Sequence, residues 1–437
     1  MSTALYSKIR FISYAIPTGP ELSAVGTGVY LGNPNTAKDI AARIAILKHA
    51  VDTAKAQLPA GESSEQIINL FMAPEFFFHG TQGPYIYATE NEDPLPKLLS
   101  ELALVFNSND YPNWTFVFGT AVTARVANID NVFASESVIA RNAIVATLAQ
   151  QLQNASGATY QLISNTLRDF IDDCQDAPNL IVRDRALIVS NILLDTPISD
   201  LQTNLMMTEK YNLSEEDFIL CAAPGITNVV TEQMVGYDRI DLSNGDIKHS
   251  AFDKYAIFRQ NYGKDNFPQY VDFAVEICLD HDDARLRNNL GLEPFPSKGN
   301  AVHVQLIPSY GSQIVQESVV ADQFGFVFNC DGQVAFDASV VPQQGDLYGV
   351  QSVYASYSDG AYAAHSQLAR VQTAAQGNDP NDNSASFEVL SAADVTVITL
   401  NPPALVDGVF ANYFAGGPGA IHIFGLNQPY TMYPAQS

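Results

Sequence analysis

The chain has 437 residues, enough for one large domain or two smaller ones with a sizeable core. Its 22 basic and 47 acidic side chains leave a net charge of −25, which argues against the basic surface that sequence-independent nucleic-acid binding needs. With 47% hydrophobic and 16% charged residues the composition is globular, and no run approaches the ~18 uninterrupted apolar residues of a membrane helix.

In chain order, Lys8 to Ile16 reads as a first strand. Asn35 to Leu58 reads as an amphipathic helix, with Ile40, Ile44, Leu47, Val51 and Ala54 on one face. Ile67 to Met72 is a second strand that runs into Pro74, Glu75 and three phenylalanines, Phe76 to Phe78. Pro94 to Phe106 reads as a helix and Thr115 to Gly119 as a strand. Residues 126–178 carry two helical apolar faces, Ile144, Val145, Leu148 and Leu152, then Leu162, Leu167, Phe170 and Ile171, which predict a helical hairpin turning near Asn154 to Ala158.

Arg185 to Ser190 is the next strand, and the polar stretch Glu209-Lys210-Tyr211-Asn212-Leu213 follows a further apolar run. Residues 214–268 are rich in Asp, Asn and Tyr, an elaboration of the kind that shapes a pocket mouth. Phe273 to Ile277 reads as a strand delivering Cys278, followed at once by Leu279, Asp280 and His281. Val302 to Ser309 and Phe326 to Gly332 are later strands, and Gly377 to Ser384 is a loop rich in turn formers. Val395 to Leu400 is a strand leading to a glycine-rich aromatic tail.

The four cysteines, at 174, 221, 278 and 330, fit neither a disulfide framework nor zinc spacing. Met1 to Arg10 lacks the basic-then-apolar pattern of a secretory leader, so the expected compartment is the cytoplasm. The glycosylation patterns at Asn113, Asn154 and Asn212 then read as chance.

Cys278 stands out because the chain turns polar directly after the sulfur, whereas a packing cysteine has apolar neighbours on both sides. Cys174 follows Asp172 and Asp173, which disfavour a thiolate, and Cys221 and Cys330 sit in apolar surroundings. Glu75 is a general-base candidate in an apolar setting; its bland alternative is a turn carboxylate capping amides. Lys210 is a candidate cation for a developing oxyanion, or a solvated surface lysine, and Lys248, Lys254 and Lys264 compete for the same role. His281, Asp282 and Asp283, with Glu75 and His79, offer metal-type ligands, but adjacent residues of one turn rarely converge on one ion. No G-x-S-x-G, G-x-G-x-x-G, Walker A or H-E-x-x-H run is present. Phe78, Tyr85 and Tyr87 read equally as pocket lining or as core.

Pro74-Glu75 at a strand end, then Lys210-x-x-Leu213, then Ile277-Cys278-x-Asp280, in that order, resembles the nitrilase superfamily of carbon–nitrogen hydrolases, over roughly residues 8 to 370. The resemblance implies an α/β fold, a four-layer α-β-β-α sandwich with two sheets face to face. The hydrolase domain would span 1–375, with a helical insertion at 126–178 and an elaboration at 214–268. The extension 376–437 would pack on the same domain or on a subunit interface. It implies Glu75 as base, Lys210 as oxyanion cation and Cys278 as nucleophile, with no cofactor, no metal and a homo-oligomeric state. The substrate would be a small amide, carbamoyl compound or nitrile, with neither nucleic acid nor membrane as partner.

Two departures bear on the substrate. His281-Asp282-Asp283-Ala284-Arg285 replaces the Arg-Phe-Pro-Glu run common after the nucleophile, and Cys278-Leu279-Asp280 replaces the Cys-Trp-Glu usual in nitrilases. The second leans toward an amide or carbamoyl substrate. Nitrile hydrolysis and amide-forming acyl transfer on the same triad are alternatives, as is a non-catalytic binding or assembly protein that keeps the fold.

Overall fold

The computed structural model describes residues 7–19, 21–22, 28–60, 62, 67–81, 83–126, 138–173, 180–192, 205–210, 256–261, 270–288, 302–332, 352–354, 364–374, 385–389 and 395–432. The chain begins with β1 (Lys8–Ala15), buried from Ile9 onward, and the short pair β2 (Glu21–Leu22) and β3 (Gly28–Val29). Helix α1 (Thr36–Gln57) starts where Asn35 Oδ1 accepts the Lys38 N–H at 3.1 Å. It buries the expected stripe of Ile40, Ile44, Leu47, Val51 and Ala54. Then come β4 (Ile67–Ala73), β5 (Tyr85–Tyr87), α2 (Leu95–Val105) and the long β6 (Trp114–Val126). Helices α3 (Val138–Gln153) and α4 (Gly157–Asp173) follow as a hairpin packed on itself.

The middle of the chain supplies β7 (Leu180–Ser190), β8 (Leu205–Glu209), β9 (Ile257–Asn261) and β10 (Tyr270–Val275). Two single-turn helices, α5 (Leu279–Asp282) and α6 (Arg285–Asn288), follow β10. The remainder is β11 (Val302–Ser309), β12 (Ala321–Asp331), β13 (Ser352–Tyr354), β14 (His365–Thr373), β15 (Ser386–Val389), β16 (Val395–Thr399), β17 (Ala420–Phe424) and β18 (Tyr430–Thr431). Of the 214–268 elaboration, only 256–261 falls within the described residues, and the loop 377–384 falls outside them.

These elements make an α/β protein with two mixed sheets. The nine-stranded sheet runs β16-β17-β1-β4-β6-β7-β8, with β18 on β1 and β5 on β6. The seven-stranded sheet runs β13-β14-β12-β11-β10-β9, with β15 on β14. Each is built around a parallel trio, β1-β4-β6 in one and β10-β11-β12 in the other, flanked by antiparallel strands. The carboxyl ends of the trios are where open α/β sheets carry their ligands.

Strand alternation sorts the side chains. Phe11, Leu70 and Met72 face Phe273, Leu306, Phe326 and Phe328 in a core shared by both sheets. The Phe11 ring lies 5.1 Å from that of Phe326 and 5.2 Å from that of Phe328. The neighbouring Ile12, Phe71, Phe116 and Phe118 point the other way, into a second core with α1 and α2. The far face of the seven-stranded sheet is covered differently. There, Ile307, Val327 and Val371 pack with Ile314 and Val319, and Ala274 and Val302 pack with Leu286 of α6. Among the described residues that face thus carries short turns in place of the long helices that the resemblance implies.

The C-terminal segment is woven into both sheets. Strand β15 joins β14, while β17 lies antiparallel to β1, with Phe11 opposite Phe424. No helix among the described residues is long and apolar enough to cross a membrane.

Candidate active site

Glu75 sits just beyond β4 on a turn whose next residue, Phe76, has a φ of 58°. Thr120 anchors that turn: its Oγ1 accepts the Phe76 N–H at 2.9 Å and its carbonyl accepts the Phe78 N–H at 3.0 Å. The turn fits because β6 breaks register between Val117 and Thr120. Gly119, in that break, has a φ of +70°, and a Cβ there would lie 2.0 Å from the Pro74 carbonyl oxygen. Only glycine allows the two backbones to approach so closely.

Lys210 follows β8, with its N–H donated to the Asp184 carbonyl at 2.8 Å. Its Nζ lies 2.8 Å from Glu75 Oε1, with the side chains 1% and 0% exposed. The Phe76 ring stands 5.6 Å from the same ammonium. Removal of two charges from water is costly, and each compensates the other here.

Cys278 arrives from the other sheet. After β10, Glu276 N–H donates to Leu306 O at 3.0 Å and Cys278 N–H to Pro308 O at 3.1 Å, and the chain then turns into α5. The turn forces Cys278 to φ 45° and ψ −108°, a conformation that side chains other than glycine's avoid. The thiol donates to the Tyr310 carbonyl at 3.4 Å. Burial pushes the thiol well up from its ordinary value, as does the Glu75 carboxylate, and Asp331 adds to this. The Lys210 ammonium and the Tyr310 hydrogen bond pull the other way. The balance favours the neutral thiol, and the charges of Glu75 and Lys210 both act on it.

A shell of buried polar groups holds this arrangement. Val315 N–H donates to His281 Nε2 at 2.9 Å, which leaves the His281 proton on Nδ1, where it is donated to Glu276 Oε2 at 2.8 Å. Glu276 also accepts from Gln305 Nε2 and from the Leu286 N–H, each at 2.6 Å. Arg285 Nη1 donates to Asp280 Oδ2 at 2.8 Å and to the Glu209 carbonyl at 2.9 Å. Asp331 Oδ2 accepts from Ser309 Oγ at 2.7 Å and from the N–H groups of Gly311 at 2.7 Å and Ser312 at 3.0 Å. Those bonds shape the loop that presents the Tyr310 carbonyl to the sulfur.

Of the three residues selected from sequence, Glu75 and Lys210 are in contact, and buried Cys278 lies within reach of their charges. The lysines that rival Lys210, at 248, 254 and 264, lie outside the described residues, as do Cys174 and Cys221. Cys330 is buried, with its thiol donating to Tyr14 O at 3.6 Å, as a packing residue would be. Phe78 and Tyr85 belong to the core under α1, where Tyr85 OH donates to Asp39 Oδ2 at 2.6 Å.

The metal-type ligands are spent elsewhere. Both ring nitrogens of His281 bond to protein groups, and His79 lies against the Tyr30 ring at 4.5 Å, with Nδ1 3.4 Å from Arg43 Nη2. Among the described residues no His, Cys, Asp and Glu side chains cluster in a metal-holding group.

Glu276, Arg285, Tyr310 and Asp331 were not legible as site residues. Tyr310 does follow a strand end and Asp331 closes one, but a carbonyl contact and a loop brace leave no side-chain signature. Comparison with protein-family models, curated proteins and solved structures finds no match to this chain.

Proposed function

We propose that the protein is a thiol hydrolase that cleaves a non-peptide carbon–nitrogen bond, of amide or carbamoyl type, through an acyl-thioester on Cys278. One observation carries the reading. A buried carboxylate–ammonium pair, Glu75 and Lys210, bears on a thiol held at a strained backbone position. A cysteine kept only for packing needs neither the pair nor the strain. The sandwich of the carbon–nitrogen hydrolases is the finer fold reading, supported by two sheets that share one core.

The chemistry follows from the groups present. Glu75 takes the thiol proton as sulfur attacks the carbonyl carbon. Negative charge builds on the carbonyl oxygen, and the Lys210 ammonium with the backbone N–H of Leu279 stabilises it. The carboxylic acid of Glu75 then gives its proton to the leaving nitrogen as the carbon–nitrogen bond breaks. A water, deprotonated by the same carboxylate, attacks the thioester. The acid product departs and the thiol regains its proton.

The test is a panel of small amides, carbamoyl compounds and nitriles, read by ammonia release, with Cys278→Ala in parallel. Release from an amide or carbamoyl compound by the wild type alone is the expected result. Equal release by Cys278→Ala, or none from any compound, would sink the assignment.

A further inference from the structure

The site is split between two sheets: Glu75 and Lys210 extend from the nine-stranded sheet, and Cys278 extends from the seven-stranded one. Something must fix the distance between them. Arg285 bonds at once to the nucleophile's turn and to the lysine's carrier. Its Nη1 reaches Asp280 Oδ2, two residues after the sulfur, and the carbonyl of Glu209, the residue before Lys210. The side chains of Arg285 and Asp280 are 5% and 0% exposed, so the contact is sheltered from competing water. Leu286 N–H, one residue on, donates to Glu276, which ties the same turn to the carboxyl end of β10.

We propose that Arg285 is a positioning residue that holds Lys210 in register with Cys278 across the two sheets. The inference rests on the triad reading above. It differs from a purely structural role in one respect. Among the side-chain charges that bear on the thiol are those of Glu75, Lys210 and Asp331. Because Arg285 grips the residue before Lys210, its loss acts on the sulfur through the displacement of Lys210, and the Lys210→Met background separates that from any direct effect of its charge. A shift of about 1 Å between reacting groups is enough to cost on the order of 100-fold in rate.

The experiment reads iodoacetamide alkylation of Cys278 by mass spectrometry, from pH 6 to 10, in the full-length protein. The variants are Arg285→Gln, Lys210→Met and the double variant. Arg285→Gln is expected to move the alkylation profile to higher pH and to slow the reaction at neutral pH about tenfold, because the ammonium no longer favours the thiolate. In the Lys210→Met background the same change should do nothing more. Arg285→Lys keeps a cation beside buried Asp280 but lacks the guanidinium fork, so it protects against loss of the fold and should shift the profile in the same direction.

An unshifted profile in folded Arg285→Lys would overturn the proposal. An equal shift with and without Lys210 would also overturn it. The readout needs no substrate, so failure of the ammonia-release panel would remove the hydrolase reading and leave this inference standing or falling by itself.

Discussion

Lys210 Nζ lies 2.8 Å from Glu75 Oε1, and protein seals both groups from solvent. Each is the reason the other can be charged in that place. The acid and the oxyanion cation of the proposed reaction are therefore one energetic unit.

Lys210→Met should show this directly. Glu75 would lose its ion-pair partner inside the protein, at a cost of about 3–5 kcal/mol. Urea unfolding measures it. The double variant Lys210→Met/Glu75→Gln removes both charges and should recover most of the loss. A single variant within about 1 kcal/mol of wild type would mean the pair is not coupled.

Glu75→Gln separates two effects that are easily conflated. Turnover should be lost, because no base remains to take the thiol proton or activate water. The thiol itself should ionise more readily, because the Glu75 carboxylate is one of the groups that push it up. Alkylation by iodoacetamide should thus set in at lower pH than in wild type. A profile displaced to higher pH would show that Glu75 favours the thiolate in the resting protein.

Gly119→Ala places a methyl group 2.0 Å from the Pro74 carbonyl at a φ of +70°. The backbone under Glu75 must move, and strain at such a position costs on the order of 1–3 kcal/mol before the clash is counted. Activity should fall further than stability alone accounts for, which is checked by an assay well below the melting temperature.

Much of this was readable from the chain. Helix α1 came from the spacing of Ile40 to Ala54, and β4 from an apolar run that ends at a proline. Glu75 and Cys278 were conspicuous because each sits where an apolar run turns polar. Lys210 rested on sequence order alone, and a lysine after a strand gives no sign of whether it turns inward. Strands β6 and β7 came out longer than their apolar cores, Thr115 to Gly119 and Arg185 to Ser190, because their pairing continues into residues of mixed polarity. Arg285 could not be read at all, since its contact beside Lys210 is to a backbone carbonyl far away in sequence.

The strain at Cys278 makes its own test. Glycine adopts φ 45° and ψ −108° without penalty. Cys278→Gly should be inactive yet more stable than Cys278→Ala, by about 1 kcal/mol or more. Thermal unfolding of the two variants decides it, and an alanine variant as stable as the glycine variant would remove the argument from strain.

His422 gives a pH dependence. It is buried beside Ser366 Oγ, 2.7 Å from Nδ1, and burial together with the charge of His365 pulls it down to about 3. An unfolded chain protonates this ring near its ordinary value of 6.5, and the folded chain only near 3. The contribution to stability is therefore full above pH 6.5 and is lost as pH falls from there toward 3, by up to about 1.4 kcal/mol per unit. In urea unfolding at pH 7, 5 and 4, His422→Gln should lose stability less steeply than wild type. Parallel slopes would assign the acid sensitivity elsewhere.

The Phe11 ring wedged near Phe326 and Phe328 has a role beyond holding the two sheets together. A slip of one residue along a strand is about 3.3 Å. That is more than the span between the acid and its ammonium. The aromatic interior, which belongs to the same core as Cys278, therefore acts as a locating pin for the two sheets. If the proposed reaction holds, reshaping those rings in a protein that stays folded would be felt first as lost rate.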